Sequence, residues 1–275
     1  MITHSGSPRS MVASLFGNRT LIARMTKREV IARYRGSFIG LAWSFFNPIL
    51  LLIVYTLVFS LVFKFRWGDD RFGADGDGNL AIMIFSGMIV HALFSDAFIR
   101  SPALITSNSN FVKRVVFPLE ILPWVTMGAA LFHLVVSLTV LVVAQTLVTG
   151  QVHPTILLIP LALLPLVLFT MGISWFFASA GVYFRDLAQA SGIISTIMLF
   201  LSPVFYPLSA VPEDYRSLFY LNPLTYMIEL IRDLVVFGQL PVWPHYVGYF
   251  LISTIVACLG YTWFQKTRRG FADVI

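Results

Sequence analysis

The stretch FIGLAWSFFNPILLLIVYTLVFSLVF, residues 38–63, contains no charged side chain. Because about 20 consecutive apolar residues in a helix cross a hydrocarbon core about 30 Å thick, this stretch is long enough to span a bilayer. It is also far longer than the apolar region of a cleavable signal peptide, so none is expected here. The stretch therefore predicts a transmembrane helix.

Five further apolar stretches predict five more spans. They run roughly over residues 80–98, 121–148, 155–181, 190–208 and 245–264. Pro203 and Pro207 interrupt one of them, and backbone groups that proline leaves unpaired must find partners in neighbouring helices or in a water-lined cavity. The predicted fold is all-α: a polytopic membrane protein with six transmembrane helices in one domain, residues 38–265.

The composition excludes a water-soluble globule. Of the 275 residues, 57% are hydrophobic and 12% are charged, and the mean hydropathy is +0.81. Soluble domains carry about a quarter charged residues, so this chain has too little polar surface to cover one. Its one cysteine, Cys258, cannot form an intrachain disulfide, and the sequence shows no Cys/His spacing typical of a zinc site. We expect no bound metal.

The basic residues are distributed unevenly between the two sides of the membrane. With the N-terminus placed in the cytoplasm, fourteen of the 19 Lys and Arg residues fall on the cytoplasmic side. Cytoplasmic loops carry the excess of Lys and Arg, so both termini, including a tail of residues 266–275, are predicted to be cytoplasmic. Outer loops are then expected near residues 64–79, 149–154 and 209–243. The net charge of +6 is thus explained mainly by the topology. Anionic lipid or a cytoplasmic partner could also bind these basic residues. We expect no binding of nucleic acid.

Residues 11–35 are predicted to form an amphipathic helix, within a cytoplasmic N-terminal region of residues 1–37. Apolar residues alternate there with basic ones, a pattern typical of a helix that lies in the plane of the membrane interface. The apolar positions are Val12, Leu15, Phe16, Leu21, Ile22, Met25 and Ile31. This helix could be a passive anchor, or it could be a gate or docking element, and its residues leave both open.

The segment between the second and third spans, residues 101–118, is first polar and then basic. Its length allows a short helix parallel to the membrane. Inner loops of this composition are candidate docking surfaces. A plain connector is the alternative, but it would leave Phe111 and Phe117 unexplained.

Two short helices are predicted in the outer stretch before the last span. The acidic pair at residues 213–214 suits the first turn of one helix, and Pro223 suits the first position of the next. The second helix, residues 224–237, is too short and too charged to span, so we expect it to dip into the outer interface. Glu229 and Arg232 share one of its faces, where they could hold it as a gate against a neighbouring element or merely anchor it at the headgroups.

The sequence lacks the motifs of several enzyme classes. It contains no GxxxxGK[ST] phosphate-binding loop and no HExxH zinc motif. The polar candidates within the spans are few: His91, Asp96, His133 and Gln145. We interpret the two histidines as structural and place Asp96 near the inner end of its span. An ion-coupled carrier, which would need more buried carboxylates, and a membrane enzyme or scaffold remain rival functions.

Four motifs, in order, cover nearly the whole chain. They are RYRGSFIGLAWSFFNP at residues 33–48, NFVKRVVFP at 110–118, YFRDL at 183–187 and LNPLT at 221–225. Together they resemble the type-2 ABC transporter permeases that export polysaccharides. The resemblance is strongest to permeases for O-antigen lipopolysaccharide, and capsule and teichoic-acid exporters are near relatives.

The resemblance implies a channel-forming membrane subunit and not an enzyme. Two copies would associate with two separate ATP-binding cassette subunits, which would use ATP and Mg²⁺, so no cofactor is expected in this chain. The implied activity is to move a lipid-linked polysaccharide, most of all O-antigen, from cytoplasm to periplasm across the bacterial inner membrane.

The resemblance also implies roles for particular residues. The residues expected to dock the ATPase are Asn110, Phe111, Lys113, Arg114, Phe117, Arg185 and Asp186. The residues expected to form the cytoplasmic gate are Arg28, Arg33, Tyr34 and Arg35. The residues expected to form the periplasmic gate are Asn222, Tyr226, Glu229 and Arg232.

A channel for a sugar polymer is expected to have aromatic walls, because sugar rings stack on aromatic faces through their CH groups. Trp43, Phe46 and Asn47 share one face of the first span, and Tyr55 and Phe59 share another. These five residues are the predicted channel lining. Aromatic residues of membrane proteins also form belts at the interface, which is the alternative for each of them.

Overall fold

The computed structural model describes residues 7–62, 77–112 and 117–275. Within those ranges the chain is helical and has no β-strand. The α-helices are α1 (Pro8–Gly17), α2 (Arg19–Arg33), α3 (Trp43–Tyr55), α4 (Asp77–Arg100), α5 (Ser109–Val112), α6 (Leu122–Thr149), α7 (Ile159–Tyr183), α8 (Leu187–Phe200), α9 (Glu213–Leu221), α10 (Pro223–Arg232), α11 (Trp243–Thr267) and α12 (Phe271–Val274). A π-helix, Thr56–Val62, continues α3, and a second one, Asp233–Phe237, continues α10.

Five helical segments of the described chain are long and apolar enough to cross a membrane. They are Gly40–Phe59, Leu80–Ala103, Leu119–Thr149, Pro154–Tyr183 and Trp243–Val274. The remaining predicted span, residues 190–208, corresponds to the shorter α8. That helix ends at Phe200 because Pro203 and Pro207 cannot continue it, and the chain turns there instead. The prediction of an all-α polytopic membrane protein is confirmed, and the helices are consistent with six spans.

The second span, on α4, forms the centre of the bundle. Of its apolar window, 72% is buried inside the protein, against 11% for the first span, which contains α3. Helices α3, α6, α7, α8 and α10 all pack against α4. A helix surrounded by other helices must be apolar on every side, which explains why α4 lacks a polar stripe.

Close approach of α7 and α11 is made possible by two glycines. A Cβ on Gly260 would lie 2.0 Å from the carbonyl oxygen of Gly172, and a Cβ on Gly172 would lie 2.4 Å from that of Val256. Small residues at a crossing allow two membrane helices to bring their backbones together. The last span is thereby held against the fourth.

The N-terminal amphipathic region is divided at Asn18 into α1 and α2, whereas one helix was expected. The Asn18 amide nitrogen donates to the Ser14 carbonyl oxygen at 2.8 Å, which turns the chain at the end of α1. Helix α2 packs on α6 where Thr26 meets Gly128, and Met25 and Val30 are buried there. Three of the apolar positions, Val12, Phe16 and Ile31, are exposed on the surface of the chain, as they would be in a helix that turns them toward lipid.

Several segments meet at one end of the bundle, which we call the basic end: α1, α2, residues 101–112, residues 117–121, residues 183–187 and residues 266–275. Arg268 pairs with Glu120 and donates to the Phe117 carbonyl oxygen at 2.7 Å. The Tyr183 hydroxyl donates to the Thr267 carbonyl oxygen at 3.1 Å, and Phe271 is fully buried. The predicted tail therefore packs on the bundle.

The opposite end, which we call the hairpin end, contains the α6–α7 turn and the pair α9 and α10. The Thr155 hydroxyl donates to the Leu234 carbonyl oxygen at 2.5 Å. Gly238 adopts a positive φ of 64° after the π-helix, and a Cβ there would lie 2.5 Å from the His153 ring. These contacts fix the position of α10 relative to the membrane-length helices.

Candidate functional site

A cleft of about 750 Å³ lies between the end of α2, the first span, α4 and α6. Five residues predicted for the gate or the channel line it: Arg33, Tyr34, Arg35, Trp43 and Asn47. Its deeper walls are apolar, and its mouth at the basic end is charged. The motif at residues 33–48 thus forms one wall of a single cavity.

Four charged side chains form a continuous chain of ion pairs between α2 and α4, which we call the α2–α4 ion-pair chain. Arg33 Nη2 donates to both carboxylate oxygens of Asp96 at 2.9 Å. Arg100 Nε lies 3.3 Å from Asp96, and Arg100 Nη1 lies 2.8 Å from Glu29. Asp96 is thus bonded to arginines from both helices. The chain holds the end of α2 across the mouth of the cleft.

Tyr34 and His133 form a second contact across the cleft, between α2 and α6. The Tyr34 hydroxyl lies 3.4 Å from His133 Nδ1, and the two rings meet edge to face. Burial raises the pKa of the Tyr34 phenol above its ordinary value, so the hydroxyl keeps its proton at neutral pH and can donate it to the ring nitrogen. The other ring nitrogen of His133 is buried and has no hydrogen-bond partner within the described ranges.

The remaining predicted residue of the cytoplasmic gate, Arg28, does not line the cleft. It lies on the opposite face of α2, beside Arg24 and Lys27. The structure therefore separates the predicted gate into a group that faces the cleft and one arginine that faces away.

The predicted channel lining is also divided. Trp43 and Asn47 line the cleft, whereas Phe46 is exposed and meets Trp43 edge to face at 6.3 Å. Tyr55 and Phe59 are half-buried, and Phe59 stacks on Phe205 at 6.1 Å. The C-terminal half of the first span therefore contacts the turn that follows α8.

At the hairpin end, Arg232 is fully buried and connects three parts of the chain. It donates to the carbonyl oxygen of Met83 on α4 at 3.1 and 3.2 Å, and to that of Val204 at 3.0 Å. Its Nη1 lies 2.9 Å from the Glu229 carboxylate, so the predicted pair is present. Val204 follows Pro203, in the turn where α8 has ended, so its carbonyl oxygen is outside a regular helix. Arg232 supplies the hydrogen-bond donor that this carbonyl oxygen needs.

Asn222 connects α10 to α8. Its side-chain oxygen accepts from the Leu224 backbone nitrogen at 3.0 Å, which caps α10. Its amide nitrogen donates to the Met198 carbonyl oxygen at 3.0 Å and to the Ser202 hydroxyl at 2.9 Å. Tyr226, on the next turn, has a buried hydroxyl without a hydrogen-bond partner in the described chain.

A family model described as ABC-2 type transporter matches residues 20–236. The chain belongs to this family. It is 29% identical over 269 residues to the O-antigen export system permease protein RfbA of Myxococcus xanthus, covering 96% of this chain and 99% of that one. A Klebsiella pneumoniae protein of the same name is 26% identical over 93% of this chain and 95% of its own length. The polysialic acid transport protein KpsM of Escherichia coli is 23% identical, covering 83% of this chain and 86% of KpsM.

In this ABC-2 transporter, the described parts of both predicted docking segments, residues 101–112, 117–118 and 183–187, lie at the basic end. Phe111 and Phe117 stack at 4.3 Å with an angle of 9° between their planes, which explains why both are present in a short connector. Asn110, Arg185 and Asp186 are exposed. Lys113 and Arg114 lie outside the described residues.

Sequence reasoning missed two of the four residues in the ABC-2 transporter's α2–α4 ion-pair chain. Glu29 and Arg100 were not assigned a role, although Arg100 follows Asp96 by one helical turn and so could have been paired with it. His91 was assigned a structural role, and its Nε2 lies 3.1 Å from the Ser195 carbonyl oxygen, where it connects α4 to α8.

Proposed function

We propose that this chain is the channel-forming membrane subunit of an ATP-driven exporter that moves a lipid-linked polysaccharide, most of all O-antigen, from cytoplasm to periplasm. The observation that carries the proposal is the match to O-antigen export permeases over almost the full length of both chains. Capsule export is the second candidate, because KpsM also matches over most of its length.

The proposed location is the bacterial inner membrane, with both termini in the cytoplasm. The basic end would then be the cytoplasmic one, in keeping with the excess of Lys and Arg on that side. The cleft would open toward the cytoplasm, and α9 and α10 would lie at the periplasmic surface.

The active unit is proposed to be a homodimer. Most of the apolar surface of the first span is exposed on the protomer, and Ile193, Ile197 and Phe200 of α8 are exposed as well. A second copy placed along these faces would cover them and enclose a channel with walls from both protomers. The aromatic side chains of the first span would then contact the sugar polymer.

Energy is proposed to come from two ATP-binding cassette subunits that bind ATP and Mg²⁺. Residues 101–118 and 183–187 would receive them, since the described parts of both segments lie at the basic end, where a Cβ on Gly181 would lie 2.0 Å from the Pro102 carbonyl oxygen. Motion of these segments would reach α2 through Arg100, which is the last residue of α4 and belongs to the ion-pair chain.

Reconstitution of the purified chain in liposomes tests the proposal. Lipid-linked O-antigen should cross the bilayer only when the ATP-binding cassette subunit and ATP are both present. Movement of polymer by the chain alone into ATP-free vesicles would contradict it. Rescue of a capsule-export mutant but not of an O-antigen-export mutant would favour the second candidate.

A further inference from the structure

A second cavity, of about 480 Å³, lies at the hairpin end. It shares no residue with the cleft. Its walls come from the turn after α8, the end of α9, one face of α10 and the start of α11. The lining residues are Leu208, Tyr220, Thr225, Tyr226, Glu229, Leu230, Asp233, Val242 and His245. Its volume lies within the range of about 300–1,000 Å³ that is usual for small-ligand sites.

The walls combine aromatic rings with carboxylates. Tyr220 and Tyr226 supply the rings, and Glu229 and Asp233 stand one helical turn apart on α10. Carboxylates accept hydrogen bonds and cannot donate them, whereas an imidazole such as that of His245 can do either. Such a set suits a ligand that has several hydroxyl donors and a flat apolar face.

The buried hydroxyl of Tyr226 supports this assignment. It has no hydrogen-bond partner among the described residues, although its ring forms part of the pocket wall. A buried polar group without a partner is unfavourable, and a bound ligand or water commonly supplies that partner. A hydroxyl-bearing ligand could provide the missing partner after a small rotation of the ring.

Two other ligand classes fit less well. No Lys or Arg lines the pocket as the described residues form it, so a phosphate would lack a cationic partner there, unlike in the cleft with its three arginines. The described residues also contain no group of three or more His, Cys, Asp or Glu side chains arranged for a metal ion.

We propose that this pocket binds a single saccharide unit, separately from the cleft. The saccharide would place its CH face on the tyrosine rings and donate hydroxyls to Glu229 and Asp233. This assignment of the ligand class rests on the proposed export of a polysaccharide. The pocket would then hold a sugar of the polymer at the end of the bundle opposite the basic one.

The test uses the full-length protein in lipid nanodiscs with methyl glycosides of glucose, mannose and N-acetylglucosamine as probes. Saturation-transfer NMR should detect binding of at least one glycoside. Tyr220→Ala and His245→Ala alter exposed walls of the pocket, and Tyr220→Ala should weaken binding about three- to tenfold through loss of a stacked ring. Tyr215→Ala, on the same helix but outside the pocket, is the matched control and should bind as the wild type does.

Two outcomes would overturn the proposal. One is equal glycoside binding in all variants. The other is binding of glycerophosphoethanolamine, and of no glycoside, that is lost in Tyr220→Ala, because the pocket would then be a lipid-headgroup site. The liposome export assay gives a separate result: a wild type that exports polymer but binds no glycoside contradicts only the pocket, and one that binds glycosides but never exports contradicts only the exporter.

Discussion

Arg232 shows how one residue can determine the position of an element. A guanidinium group has five donors in a fixed geometry, and here they serve two backbone carbonyls and one carboxylate in a fully buried position. Gly87 makes room for it, since a Cβ there would lie 3.1 Å from Arg232 Nη2. Three separate segments, α4, the turn after α8 and α10, therefore depend on one side chain.

Replacement of Arg232 should destabilise the hairpin end. Arg232→Ala leaves three acceptors without their donor, which we expect to cost about 3–5 kcal/mol of unfolding free energy and to raise ion leak through the resting transporter. Thermal unfolding in detergent and ion flux in liposomes measure the two effects. Arg24→Ala is the control, because Arg24 is an exposed arginine on α2.

The charge-swapped double variant Glu229→Arg, Arg232→Glu tests what Arg232 contacts. If only the attraction between the two charges held α10 in place, the swapped pair would again prevent the ion leak. Because a glutamate at 232 cannot donate to the carbonyl oxygens of Met83 and Val204, we expect no recovery of stability. Restored stability would show that the carbonyl contacts are unimportant.

At the scale of elements, α2 is attached to the bundle in two chemically different ways. Its middle packs on α6 through Thr26 and Gly128, a contact that depends on shape. Its end is held by the α2–α4 ion-pair chain, whose groups are partly exposed, so that each pair contributes about 1 kcal/mol or less. The end of α2 can therefore be released from α4 while its middle stays in place.

Asp96→Asn should release the end of α2 without unfolding the protein. The substitution removes the charge that both Arg33 and Arg100 contact, while its size is unchanged. We expect a longer and broader distance between spin labels on α2 and α4, with little change in melting temperature. Asp186→Asn, an exposed acid at the same end, should leave the distance unchanged.

The crossing of α7 and α11 depends on the lack of a side chain at Gly260 and Gly172. Gly260→Ala places a Cβ against the Gly172 backbone, which cannot yield as a side chain could, and should cost at least about 1–3 kcal/mol. Gly192→Ala in α8 has open space around the new methyl group and should be neutral or slightly stabilising. Equal unfolding temperatures for the two variants would show that the crossing is looser than the structure has it.

For the whole molecule, the two ends differ in charge and in construction. The basic end contains the α2–α4 ion-pair chain, the pair Glu120–Arg268 and the described parts of the predicted docking segments. The hairpin end contains the short helices α9 and α10 with the pairs Glu213–Arg216 and Glu229–Arg232. Cysteine labelling in a Cys258→Ala background tests the orientation that we propose. An impermeant reagent added from outside should label Tyr215→Cys but neither Arg28→Cys nor Arg268→Cys. Labelling of Arg268→Cys would contradict the proposed orientation.

The sequence alone determined features that depend on neighbouring residues. The length of each apolar run predicted the spans, because a bilayer has a fixed thickness. The break after α8 followed from Pro203, and the start of α10 followed from Asn222 and Pro223, since a cap and a proline act within one turn. The Glu229–Arg232 pair could be predicted for the same reason.

Only the tertiary structure decided which helix meets which. Arg33 and Asp96 are 63 residues apart in the sequence, and Arg232 and Met83 are 149 apart. Such pairings depend on the rotation and crossing of whole helices. In a membrane protein the pattern of apolar residues says little about how a helix is rotated about its own axis, because the lipid and the protein interior are both apolar. Packing between helices decides which face of a helix meets lipid and which meets protein. For that reason the sequence grouped Arg28 with Arg33, whereas the packing of α2 on α6 turns Arg28 away from the cleft that Arg33 lines.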